Sequence, residues 1–151
     1  MKPFSIARGP RSRDEAEGCI SGSSSQGTAK PIILVVDDEP DSVDILQWFL
    51  RDAGFVVRTA ANGSDALRSV QTCVPDLAVI DYMMPGMNGV VLCRQLREQP
   101  ATQQLPIILH TGTDLSVEEA DHDLCVDRVV KKPSDAHDLV EEVRELLDRT
   151  H

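Results

Sequence analysis

Ile32-Ile33-Leu34-Val35-Val36-Asp37-Asp38 is a run of five aliphatic residues ended abruptly by two carboxylates. A short, unbroken, Val/Ile-rich run reads as a strand buried on both faces, as in a parallel sheet covered by helices. The pattern recurs three times. Leu77-Ala78-Val79-Ile80 runs into Asp81, Ile107-Ile108-Leu109 leads to Thr111, and Val129-Val130 leads to Lys131-Lys132-Pro133. In an open α/β sheet the ligand site lies outside the carboxyl ends of the strands. Three acids, a hydroxyl and a lysine spread over nearly a hundred residues are therefore expected at one rim.

The segments between these runs have helical spacing. Pro40 suits a first turn, and Val43, Leu46, Phe49 and Leu50 recur on one face as far as Ala53, with Gly54 as the stop. Phe55–Ala60 reads as a second strand and Asn62-Gly63 as a turn. Ser64 is a plausible N-cap for a helix carrying Ala66, Leu67 and Val70. Leu77–Ile80 is the third strand, followed by the loop Asp81–Asn88 and a helix from Gly89 to about Glu98. The fourth strand is Ile107–His110, a short helix is expected from about Val117 to Leu124, and Arg128–Val130 is the fifth strand. Ser134 or Asp135 would cap a last helix with Leu139, Val140, Val143, Leu146 and Leu147. Five strands alternating with five helices predict a doubly wound α/β fold with helices on both faces of a parallel sheet.

The 151 residues allow one domain with a real core. Residues 1–29 have no sustained period and include Ser21-Gly22-Ser23-Ser24-Ser25-Gln26-Gly27, so they are expected to be a flexible tail before a domain spanning 30–151. The chain ends four residues after Leu147, so a stand-alone domain is expected. The net charge is -10, and residues 30–151 alone carry 11 basic against 22 acidic groups. That balance argues against a nucleic-acid surface, which needs a basic stripe. No apolar stretch is long enough to span a membrane, and the N-terminus lacks the apolar core of a secretory signal. Cys19, Cys73, Cys93 and Cys125 are far apart without a C-x-x-C pair. Cys73, Cys93 and Cys125 are expected as buried free thiols in a reducing, cytoplasmic setting.

Asp37, Asp38 and Asp81 would set like charges side by side, a placement that a cation relieves. Few hard oxygen ligands with open positions suit Mg²⁺. One carboxylate could then attack a phosphoryl group, with Lys132 neutralising the transferring oxygens and Thr111 donating to another. His110, His122 and His137 show no ligand spacing and read as incidental. Met83, Met84 and Met87 read as loop packing around Pro85-Gly86, not as a copper site.

At these residues the chain resembles the receiver domain of two-component response regulators. The matching segments are Ile33–Pro40, Asp81-Tyr82-Met83-Met84-Pro85-Gly86-Met87-Asn88-Gly89, Pro106–Thr111 and Lys132-Pro133, within a resemblance covering residues 31 to about 148. The resemblance implies a flavodoxin-like receiver fold with strand order 2-1-3-4-5, an order that belongs to the family and not to the spacing. It implies that Asp81 accepts a phosphoryl group from a sensor histidine kinase or phosphotransfer protein. Asp37, Asp38, Asp81 and the backbone carbonyl of Met83 would be the Mg²⁺ ligands. Thr111 would be the switch hydroxyl and Lys132 the phosphate-contacting lysine, with Lys131 on the opposite face. The side chains two positions after the acceptor and after the switch hydroxyl, here Met83 and Thr113, shape water access in receivers.

Two positions depart from the family pattern. Val129 stands where Tyr or Phe is usual, and Gly112 where alanine is common. The expected role is a phosphoacceptor signalling domain, not an enzyme, acting through an unknown downstream protein and not through nucleic acid or a membrane. A docking module that is not phosphorylated would be expected to lack the acceptor or the lysine. A phosphatase of the haloacid-dehalogenase type would need Asp-x-Asp, and Asp81-Tyr82-Met83 has methionine at the third place. No P-loop or G-x-G-x-x-G is present.

Overall fold

The computed structural model describes residues 30–112, 125–132 and 136–150. Strand β1 (Ile32–Val36) is buried along its whole length, so both of its faces need cover. It lies between β2 (Val56–Ala60) and β3 (Leu77–Asp81), with β4 (Ile107–Thr111) and β5 (Arg128–Lys131) beyond. All pairings are parallel and the order is β2-β1-β3-β4-β5, the doubly wound arrangement.

Strand alternation divides the core in two. Leu34, Val36, Ala78, Ile80, Ile107 and Leu109 pack on helices α2 (Gly63–Thr72) and α3 (Gly89–Glu98) through Ala66, Val70, Leu92, Cys93 and Leu96. Ile33, Val35, Val57, Leu77, Val79 and Ile108 pack on α1 (Pro40–Asp52) and α4 (Ala136–Thr150) through Leu46, Leu50, Leu139, Val143 and Leu146. Each such aliphatic side chain stabilises the fold by roughly 1.5–3 kcal/mol when fully buried. This two-sided burial is the physical content of the unbroken apolar runs.

Local chemistry sets the ends of the elements. Pro40 opens α1, and Gly54 at φ 102° closes it in the left-handed region, with Gly54 N donating to Arg51 O and Phe55 N to Leu50 O. Asp76 accepts from Ile32 N at 2.7 Å and Asp127 from Ile107 N at 2.8 Å, so an acid before one strand satisfies the first amide of its neighbour. The expected cap at Ser64 is corrected to Asn62, whose side chain accepts from Asp65 N at 2.8 Å. Asn62 therefore starts α2 instead of forming a separate turn, because its carboxamide reaches the third residue on. A short 3₁₀ turn, Pro100–Thr102, follows α3 and has no periodic signature in the sequence.

Cys93 and Cys125 are buried free thiols. Cys73 is disulfide-bonded, which corrects the expectation of a free thiol there. It sits at the C-cap of α2 and is buried, as expected. Residues 1–29, the helix expected over 117–124 and the caps expected at Ser134 or Asp135 lie outside the described residues. Among the described residues no helix is long and apolar enough to cross a membrane.

Candidate functional site

Strands β1, β3, β4 and β5 all end at the same rim, and each brings a polar residue to it. Asp37 follows β1, Asp81 ends β3, Thr111 ends β4 and Lys132 follows β5. Carboxylate oxygens of Asp37, Asp38 and Asp81 all lie within 4.8 Å of one another. Asp37 and Asp81 are buried, whereas Asp38 is exposed. The Lys132 ammonium spans two of these acids, 3.2 Å from Asp37 Oδ2 and 3.3 Å from Asp81 Oδ1.

The charges bear on one another. Burial raises the Asp81 carboxyl above the usual range; Lys132 opposes this, Asp37 and Asp38 add to it, and the net direction is upward. Burial also works against the Lys132 charge, but attraction to Asp37 and Asp81 outweighs it, so the ammonium holds its proton more firmly than usual. Two buried acids sharing one ammonium, with a third acid beside them, still carry an excess of negative charge. The donor set is all hard oxygen and sits at the open edge of the sheet, which fits a small divalent cation.

The backbone around Asp81 is held closely. Gly89 N donates to Tyr82 O at 2.8 Å, which closes the Asp81–Gly89 loop onto α3. A Cβ on Gly89 would stand 2.6 Å from the Asp81 carbonyl oxygen and 2.8 Å from Leu109 Cδ1, so only glycine lets α3 begin against the end of β3. Asn88 caps α3 by accepting from Val91 N at 2.9 Å, and Gly86 turns the loop at φ 83°. Met83, on that loop, is 61% exposed.

Thr111 reaches the same rim but by strand alternation belongs to the opposite sheet face from Asp81. It is buried, and its carbonyl accepts from Lys132 N at 2.6 Å. Lys131, in register with Thr111, is exposed, while Lys132 is the lysine that reaches the acids. Val129, in place of the usual aromatic, is partly buried against the α2/α3 side of the core.

His110 is the residue that sequence reading passed over. It pairs in register with Asp81, its carbonyl accepts from Tyr82 N at 3.3 Å, and it is 7% exposed. Burial, then the nearby Lys132 charge, lowers its imidazole to about 4 despite an opposing pull from Asp37. The available signal was a polar side chain inside a run expected to be buried on both faces.

Residues 33–144 match the family model of the response regulator receiver domain. The alkaline phosphatase synthesis transcriptional regulatory protein PhoP of Bacillus subtilis is 38% identical over 122 residues, covering 78% of this chain and 49% of PhoP. The chain thus spans about half the length of the curated relatives it matches. A response regulator from Chloroflexus aurantiacus superposes with a TM-score of 0.74 at 33% identity, over 79% of this chain and 98% of the other. The response regulator TrrA of Thermotoga maritima, solved in complex with Mg²⁺ and BeF, gives 0.69 at 31% identity, over 77% and 98%. With the doubly wound fold and the acid-lysine rim, these likenesses make the chain a member of the response regulator receiver domain family of two-component signalling.

Proposed function

We propose that Asp81 accepts a phosphoryl group from a sensor histidine kinase or phosphotransfer protein, and that the phosphorylated chain signals by changing its affinity for a downstream protein. The observation that carries this reading is the Lys132 ammonium held 3.2 and 3.3 Å from Asp37 and Asp81 beside a third carboxylate. Asp37, Asp38, Asp81 and the Met83 carbonyl are the residues that would hold Mg²⁺. Bound there, the cation supplies positive charge against the acids and the transferring oxygens.

An Asp81 carboxylate oxygen attacks phosphorus as the bond from phosphorus to the donor's imidazole nitrogen breaks. The imidazole leaves and takes up a proton. Lys132, already directed at Asp81, turns its charge to the incoming oxygens, and the Thr111 hydroxyl donates to another. The negative charge of the Asp81 carboxylate passes to the phosphoryl oxygens, so the acids keep their need for the neighbouring positive charge. The chain's chemistry is then its own phosphorylation and dephosphorylation, and its output is binding. With Val129 in the fifth strand, no aromatic ring at that position couples Thr111 to the output face.

Incubation with acetyl phosphate and Mg²⁺, followed by intact-mass measurement, tests the assignment. The unaltered chain should gain one phosphoryl group and Asp81→Asn none. Equal labelling of the variant would remove Asp81 from the role.

A further inference from the structure

Lys132 and Asp81 meet although their strands are not neighbours. In the order β3-β4-β5, the middle strand separates them, and two strand spacings amount to about 10 Å. The lysine side chain therefore has to cross β4 to make its 3.3 Å contact with Asp81. What β4 presents on that face determines how it crosses.

Ile108, Val130, Asp37 and Asp81 follow an alternation that puts them on the α1/α4 side of the sheet, where Ile33, Val35, Leu77 and Val79 also lie. On β4 this face continues from Ile108 to His110 and then Gly112. Gly112 has no side chain, and a Cβ built there would lie 3.7 Å from Lys132 Cβ, so the lysine stem passes beside this residue. His110 is the last bulky side chain on that face of β4. It is in register with Asp81 on one side and Val130 on the other, and the charges of both Lys132 and Asp37 reach it.

We propose that His110 is a positioning residue for Lys132, its imidazole forming the floor over which the lysine side chain reaches Asp81. A neutral ring filling this place supports the aliphatic stem without repelling the ammonium. A small side chain would leave the stem unsupported, and a cationic one would push the ammonium away. The role rests on the reading of Asp81 as the acceptor, and it adds a residue that touches neither the phosphoryl group nor the metal ligands' cation.

A double-mutant cycle on the full chain tests it, with initial labelling by acetyl phosphate and Mg²⁺ as readout and thermal unfolding to show that each variant is folded. His110→Ala should label about ten- to a hundredfold more slowly, as expected for a misplaced charge-neutralising group. In a Lys132→Ala background the same change should have no further effect, because the group it positions is gone. A merely structural histidine would lower the melting temperature and leave the folded variant's labelling rate alone. Wild-type labelling by folded His110→Ala, or multiplying losses in the double variant, would overturn the role. Should His110→Ala not fold, His110→Val, suited to a strand, replaces it in the same cycle. Absence of labelling in the unaltered chain would instead overturn the acceptor reading, and this role with it.

Discussion

The space that a side chain on Gly89 would fill is already taken by the backbone carbonyl of Asp81, 2.6 Å from where a Cβ would stand. The first residue of α3 thus lies directly against the end of the strand that carries the candidate acceptor. Leu109 Cδ1 at 2.8 Å and Ile80 Cγ2 at 3.1 Å close the other sides, so the clash has no flexible way out through backbone.

Gly89→Ala should therefore destabilise the fold by about 1–3 kcal/mol, the range for overpacking in a closed site. Urea unfolding checks this. Labelling of Asp81 should slow as well, because relief of the clash shifts the Asp81 carbonyl or the start of α3. Unchanged stability would mean that α3 can back away from β3 without loss.

Lys132→Ala should strongly impair phosphorylation or the response to it, whereas Lys131→Ala should label like the unaltered chain. Adjacent residues of a strand face opposite sides, and only Lys132 contacts Asp37 and Asp81. The reverse result would place β5 one residue out of register.

Phosphorylated Asp81 should be long-lived. Met83 is exposed on the loop and offers neither a base nor a carboxamide to orient water. Met83→Asn should speed loss of the phosphoryl group by less than the roughly hundredfold lower end of general acid–base assistance, since a carboxamide orients water without taking its proton, and Met83→Leu should not. Decay followed by intact mass at fixed Mg²⁺ decides between them.

His110 gives the stability a pH dependence of known sign. Its imidazole is lowered to about 4 when folded, by burial first and then by Lys132, against about 6.5 when unfolded. Between those values the unfolded chain binds the proton and the folded one does not, so this contribution is complete above pH 6.5 and is lost as pH falls towards 4. The gap corresponds to about 3 kcal/mol. Asp81, raised in the fold, works in the opposite sense over its own range. The readout is therefore the difference between the unaltered chain and His110→Gln in urea unfolding at pH 7.5, 6 and 5. Parallel losses in the two proteins would show that His110 does not titrate as described.

Arg58, buried on β2, donates to Cys73 O at 2.8 Å and to Ser69 O at 3.2 Å, carbonyls at the C-terminal end of α2. Arg58→Met keeps much of the stem and removes both bonds, and should cost about 1.5–3 kcal/mol, as for hydrogen bonds to a charged group. Asp81 labelling should be unaffected, since α2 ends shortly before β3 begins, at the edge of the sheet opposite the acid rim. Calorimetry and the labelling assay together test the separation.

By itself the sequence determined what depends on local periods and local stops. The short all-apolar runs read as buried strands, Pro40 and Gly54 bound one helix between them, Asp37 and Asp81 follow directly on such a run, and Thr111 and Lys132 follow one residue later. Strand order is a different matter, since the period of a strand says nothing about its neighbour; the family resemblance implies the order and the pairings display it. The Asn62 cap was misplaced by two residues because Asn-Gly also suits a turn, and only the path of the chain selects between the two. Tertiary structure alone decided that β4 lies between the strand that ends in Asp81 and the strand that precedes Lys132. That placement makes a histidine without ligand spacing a neighbour of Asp81, and makes the glycine at 89 a steric necessity. Both depend on atoms far apart in the chain, brought into contact by the pairing of β3 with β4 and the docking of α3.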